Sequence, residues 1–247
     1  ATIGPAGEKL VRFASIINLD KNGRSGVAGR GGVGAVMGSK NLKAIVVKGK
    51  LSPNELIPNE VETSIKELFR EIVDYLRKDV AQGISLGGNL PAMDMVAKLK
   101  ILPVMNFKRG YIEGYKRVSE EAFKAVTIRK NTCYLCPLAC GVHIKVKEGA
   151  FSGLELERIE YESVALNGPN CAQLDLGTIV KVCLMCNEYG MDTITVGNIT
   201  AFVMECSEKG LIDYKLNFGD GEGQIRLVKA IGEREGIGDL LAEGLLR

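Results

Sequence analysis

The chain has 247 residues, 46% hydrophobic and 25% charged, enough for one large domain, or one and a half ordinary ones, with a real buried core. A formal net charge of only +2 provides no field that would favour nucleic acid or an acidic membrane surface, and no apolar run reaches the ~18 residues needed to span a bilayer. Seven cysteines, odd in number and clustered, suit metal or redox duty in a cytoplasmic protein better than a stapled secreted scaffold. The N-terminus lacks the basic and apolar regions of a signal peptide. It also starts without Met and runs straight into a glycine-rich, strand-like pattern, so the chain reads as a fragment.

Residues 12–17 and 42–47 are short runs rich in β-branched side chains and are predicted strands. Between them, residues 24–41 contain six glycines, a density that lets backbone pass very close to another group. Residues 51–58 carry two prolines and read as a linker. The clearest helix follows, with Asn59 as cap, Glu60 and Glu62 at its positive end, and Val61, Ile65, Leu68, Ile72 and Leu76 on one apolar stripe. Further helical periodicity covers about 91–100, 119–127, 175–189, 193–209, 222–233 and 237–246, and residues 142–147 alternate as a short strand. The expected fold is mainly α: a small β segment over residues 1–50, then a mostly helical domain over 51–247.

Cys133, Cys136 and Cys140 lie in one stretch, N-T-C-Y-L-C-P-L-A-C-G-V-H. Pro137 keeps that loop from becoming helix, and thiolates at gaps of two and three residues let one loop wrap a metal centre. The order of the gaps is the reverse of the radical-SAM arrangement. Spacing alone does not separate an iron–sulfur cluster from an all-sulfur zinc site, and both normally take four ligands. Cys183 and Cys186 fall in a helical pattern and read as core, as does Cys206. Cys171 and His143 are the internal candidates for a fourth ligand. His143 also reads as a neighbouring donor that tunes a cluster, or as a partly exposed loop residue.

Four motifs in order, G-R-G-G-V-G-A-V-M-G-S-K-N-L-K-A-I at 29–45, C-Y-L-C-P-L-A-C-G at 133–141, E-Y-E-S at 160–163 and N-E-Y-G-M-D-T-I at 187–194, resemble the tungsten-containing aldehyde:ferredoxin oxidoreductase family. The resemblance implies that the chain is the end of an N-terminal tungstopterin-binding β domain (1–50) plus most of a helical second domain (51–247). It implies a [4Fe–4S] cluster on Cys133, Cys136 and Cys140, and tungsten, or molybdenum in some relatives, held by two pterins with magnesium between their phosphates. Ala28, Gly29, Arg30 and Gly31 match the phosphate-approaching segment. Glu162 matches the active-site glutamate, which in a dry pocket has a raised pKa and moves protons. The alternative for Glu160 and Glu162 is one solvated strand face.

Asn187 and Asp192 match a pterin-contacting motif of the form Asp-x-x-Gly-Leu-Asp, with Asn187 in place of the first Asp and Met191 in place of Leu. Helix capping by Gly190 and Asp192 is compatible with that role. The implied partners are an aldehyde, ferredoxin and the remainder of a longer protein, which would supply the fourth cysteine, the histidine paired with the glutamate and a second pterin motif. No nucleic acid or membrane partner is implied, a homodimer stays open, and the fragment alone is expected to be inactive. The rival readings are a non-catalytic iron–sulfur electron-transfer module and a structural zinc protein.

Overall fold

A computed structural model describes residues 1–19, 25–50, 55, 58–76, 89–133, 136, 138 and 140–245. The expected linker at 51–58 lies almost wholly outside the described residues, as does Pro137. The N-terminal part is a three-stranded antiparallel sheet, β1 (Thr2–Ile3), β2 (Ile16–Leu19) and β3 (Ser25–Ala28), in that spatial order. Two short helices, α1 (Pro5–Glu8) and α2 (Val33–Ser39), pack beside it. The predicted strand at 12–17 is shorter than its pattern, because residues 11–15 turn and bond elsewhere. Among the described residues the run at 42–47 forms only the bridge Ala44–Thr2. Val46 is 91% exposed, so β-branched composition without a neighbouring strand does not make a ladder here.

The glycine density has a structural cause in large part. A Cβ on Gly38 would stand 1.9 Å from the Gly7 carbonyl oxygen, and one on Gly34 would stand 2.5 Å from that of Ser15. These two glycines let α2 lie directly on α1 and on the start of β2. Gly32, with φ of +68°, starts α2 in a conformation that L side chains avoid.

Helices α3 (Asn59–Tyr75), α4 (Pro91–Lys98), α5 (Glu120–Val126), α7 (Leu176–Tyr189), α8 (Thr193–Glu208) and α9 (Gly221–Glu233) follow the expected periodicity. Helix α10 (Ile237–Leu241) stops earlier than its pattern. In α3, Pro58 rather than Asn59 occupies the N-cap. Its stripe of Val61, Ile65, Leu68 and Ile72 is exposed. Helix α6 (Tyr161–Asn167) begins inside E-Y-E-S, which removes the reading of Glu160 and Glu162 as one strand face.

A second antiparallel sheet, β4 (Thr127–Asn131), β5 (Gly141–Lys145) and β6 (Glu155–Leu156), contains the strand expected near 142–147. The core has two parts. One gathers Phe13 and Ala14 with Val182, Met185, Met191, Ile199 and Ile231, the other Phe123, Ile144, Ile159, Val164, Ile179 and Cys183. Helix α7 contributes to both through neighbouring faces, with Glu188 left exposed on the remaining one. Arg234 clasps the N-terminal segment to the last helices, donating from Nε to the Lys9 carbonyl at 2.7 Å and pairing with Glu243 at 2.8 Å. Among the described residues no helix is long and apolar enough to cross a membrane.

The α1–α2 contact is the tightest test of this packing. Gly38→Ala is expected to cost about 3 kcal/mol, at the upper end of ordinary overpacking, because the obstacle is backbone. Gly49→Ala, where nothing lies within 4 Å of the added carbon, should be close to neutral. Urea denaturation of the two variants checks the pair, and equal stabilities would sink the glycine-contact explanation.

Candidate active site

The corner between α7 and α8 is built by two caps. Gly190, with φ +72° and ψ +52°, ends α7 in the left-handed region, and Asp192 starts α8. Asp192 Oδ2 accepts from the Thr195 amide at 2.9 Å and from Thr195 Oγ1 at 2.6 Å. The extended segment before β2 docks on this corner through backbone bonds. Ser15 N–H donates to the Gly190 carbonyl at 2.8 Å and Asp192 N–H to the Phe13 carbonyl at 3.1 Å, flanking the Ala14–Met191 bridge.

That docking carries the end of β3 over the corner. A Cβ on Gly29 would meet Asp192 Oδ1 at 3.2 Å, so the carboxylate oxygen left over from capping lies against Gly29. The result is a cleft of about 310 Å³ whose wall includes Gly29, Arg30, Glu162, Asn187 and Asp192. These five, distant in sequence, are therefore brought together, with Ala28 and Gly31 flanking the glycine–arginine pair. Asp192 is 5% exposed, whereas Arg30 and Glu162 are exposed. Glu162 sits in the first turn of α6, and Asn89 holds that turn, accepting from the Tyr161 amide at 2.9 Å and donating to Glu162 Oε2 at 3.5 Å. The dry pocket expected around Glu162 is thus not formed by the described residues, because the first turn of α6 faces outward at the cleft mouth. Ser163 and Thr193 tie α6 to α8 through a 2.7 Å hydroxyl contact.

The cysteine loop connects β4 to β5, and the pairing of Asn131 with Gly141 pins its two ends. Inside it, the Cys136 amide donates to the Cys133 carbonyl at 3.0 Å and Thr132 Oγ1 to the Cys136 carbonyl at 2.7 Å. Cys133 is exposed, and Cys136 and Cys140 are partly so. Burial pushes the Cys140 thiol up, and Glu160 adds to that against the opposing charge of Arg158. Among the described residues no three His, Cys, Asp or Glu side chains are arranged to hold a single metal ion. Three thiols on one loop tethered at both ends are nonetheless compatible with a cubane, where every thiolate meets its own iron.

The internal candidates for a fourth ligand fall away. Cys171 is fully buried in the first core cluster, its thiol held up by desolvation and donating to the Leu166 carbonyl at 3.3 Å. His143 is neither in a loop nor free. It lies in β5 at 8% exposure, with Nδ1 accepting from Arg129 Nε at 3.0 Å and Nε2 facing Glu155 Oε2 at 3.2 Å. Both ring nitrogens of His143 are engaged and Cys171 lies inside the core, so neither is a free ligand in this structure. Cys183, Cys186 and Cys206 are buried, as expected of core cysteines, and burial pushes the Cys183 thiol up to about 12.

Sequence reasoning missed Arg158. It lines the cleft and donates from Nη2 to Cys133 Sγ at 3.4 Å, so it touches both features. A lone arginine outside any motif left no signal.

Residues 1–49 match the family described as "Aldehyde ferredoxin oxidoreductase, N-terminal domain", and residues 67–247 match "Aldehyde ferredoxin oxidoreductase, domains 2 & 3". The tungsten-containing aldehyde ferredoxin oxidoreductases of Pyrococcus furiosus and Pyrococcus abyssi are 40% and 39% identical over 100% and 99% of this chain. The chain spans 40% of the length of each. A solved structure, the active site complex BamBC of benzoyl coenzyme A reductase with 1,5-dienoyl-CoA, superposes with a TM-score of 0.74 at 25% identity. That match covers 99% of this chain and 38% of the other.

Asp192 serves the fold whatever the cleft binds. Asp192→Asn, which keeps an oxygen for the Thr195 amide, should lie within about 0.5 kcal/mol of the parent, whereas Asp192→Ala should cost about 1–2 kcal/mol. Chemical denaturation measures both, and equal stabilities would contradict the capping role.

Proposed function

The chain belongs to the aldehyde ferredoxin oxidoreductase family, and from that premise we propose that it joins a pterin-held tungsten (or molybdenum) site to a [4Fe–4S] cluster within a cytoplasmic aldehyde-oxidising enzyme. The observation that carries this reading is Arg158, which lines the cleft and at the same time hydrogen-bonds the cysteine loop. Residues 1–50 are read as the closing part of the N-terminal pterin-binding domain and 51–247 as the helical domain.

In this reading Cys133, Cys136 and Cys140 hold three irons, and the fourth thiolate comes from outside the chain. Ala28 to Gly31 bring backbone and the Arg30 guanidinium to the pterin phosphates and their magnesium ion, a fit supported by Gly31, beside which nothing lies within 4 Å of an added Cβ. Asn187 and Asp192 orient the pterin rings by hydrogen bonds from the α7–α8 corner. When bound, the pterin metal and cluster supply oxidation of an aldehyde to a carboxylate and single-electron delivery to ferredoxin. The chain's own catalytic contribution is Glu162, which accepts or returns a proton as water or a hydrated aldehyde reacts. Because the carboxylate is exposed at the cleft mouth in this part of the protein, exclusion of water falls to chain beyond it. An aldehyde is the proposed substrate because the relatives at 39% and 40% identity are named for it.

One preparation tests this reading. The full-length protein, purified anaerobically, should carry about four irons and four sulfides per chain together with tungsten or molybdenum. Glu162→Gln should lower aldehyde turnover by roughly 10²–10⁴-fold with that metal content unchanged. One zinc per chain and no colour would sink the cluster, and near-normal turnover of the variant would remove Glu162 from the chemistry.

A further inference from the structure

Arg158 stands apart from the four motifs, on the segment between β6 and α6 just ahead of Glu160. One arm of its guanidinium, Nη2, donates to Cys133 Sγ at 3.4 Å. Its Nε is buried and has no hydrogen-bond partner among the described residues. A Cβ on Gly141, the residue that follows Cys140, would stand 3.0 Å from that Nε. The side chain therefore runs from the first cysteine of the loop to the backbone just after the last one, and a side chain at residue 141 would press against it.

A half-buried cation with an unsatisfied donor is a costly arrangement unless an anion completes it. A cubane with thiolate ligands is itself anionic and gains one further negative charge on reduction. A fixed cation and hydrogen bonds to its sulfurs favour the reduced form. Arginine suits this task better than lysine because it stays charged and presents several donors in a fixed fork.

We infer that Arg158 sets the reduction potential of the cluster held by Cys133, Cys136 and Cys140, raising it so that an electron leaving the cleft is drawn onto the cluster. This rests on the cluster reading of the three cysteines. One electron enters the cluster and the guanidinium keeps its proton, so Arg158 is a positioning residue and not an acid or base.

The test is an EPR-monitored redox titration with dithionite on the full-length protein, with iron and sulfide content measured on the same samples. Arg158→Met should shift the reduced-to-oxidised ratio at a fixed ambient potential by at least tenfold towards oxidised, a lowering of about 59 mV for a one-electron couple. Arg158→Lys, which keeps the charge without the fork, should shift in the same direction by less. An unchanged midpoint in both variants, with full iron content, overturns the inference. Should Arg158→Met fail to assemble its cluster, Arg158→Lys decides alone: a lowered midpoint supports the role and a parental one overturns it. A parent protein without iron and sulfide would instead overturn the cluster reading itself.

Discussion

Everything at the cleft depends on a short backbone ladder between residues 13–15 and 190–192. Its two hydrogen bonds, Ser15 to Gly190 and Asp192 to Phe13, satisfy polar groups that would otherwise be stranded beside a buried core. Met191 and Phe13 are buried at this point, so the ladder is locked by apolar contact from both sides. Through it the α7–α8 corner is tied to the small sheet, and Gly29 comes to rest against the Asp192 carboxylate. Without that docking, Arg30 and Asp192 would belong to separate surfaces.

The second constraint is the burial of α7 on two neighbouring faces. Ile179, Val180 and Cys183 join one core cluster, and Val182, Met185 and Cys186 the other. A helix held in this way cannot shift without opening both cores. Asn187 in its last turn and the capping pair beyond it are fixed accordingly. The cysteine loop is held differently, by the β4–β5 pairing at its ends and by Arg158 from the side. The segment running from β6 through Arg158 and Glu160 into α6 therefore links the loop to the cleft by covalent chain as well as by hydrogen bond.

Much of the helical architecture was legible because periodicity and capping act over short range. Cys183 and Cys186 could be assigned to the core from their helical spacing, and Asp192 to a cap from its place before a periodic run. What was not legible depended on partners distant in sequence. The glycines at 34 and 38 look like a ligand-binding loop until Ser15 and Gly7 are seen against them. The 42–47 run looks like a strand until its single bridge is seen. His143 resembled a candidate ligand because nothing local predicts that Arg129 and Glu155 engage both ring nitrogens. Of the residues carried by motifs, Gly29, Arg30, Glu162, Asn187 and Asp192 line one cleft while the three cysteines lie outside its lining, and the exposure of Glu162 had no signature in E-Y-E-S. Arg158 was invisible for the same reason that it is informative: its neighbours are a loop thiol and a glycine of β5, both distant in sequence.

On the proposed function, the cleft and the cysteine loop form one electron-transfer unit held at fixed separation. EPR of the full-length protein, poised so that both the pterin-held metal and the cluster are paramagnetic, tests it most directly. Resolved magnetic coupling between the two centres is the expected result. Two signals that superimpose without interaction would contradict it.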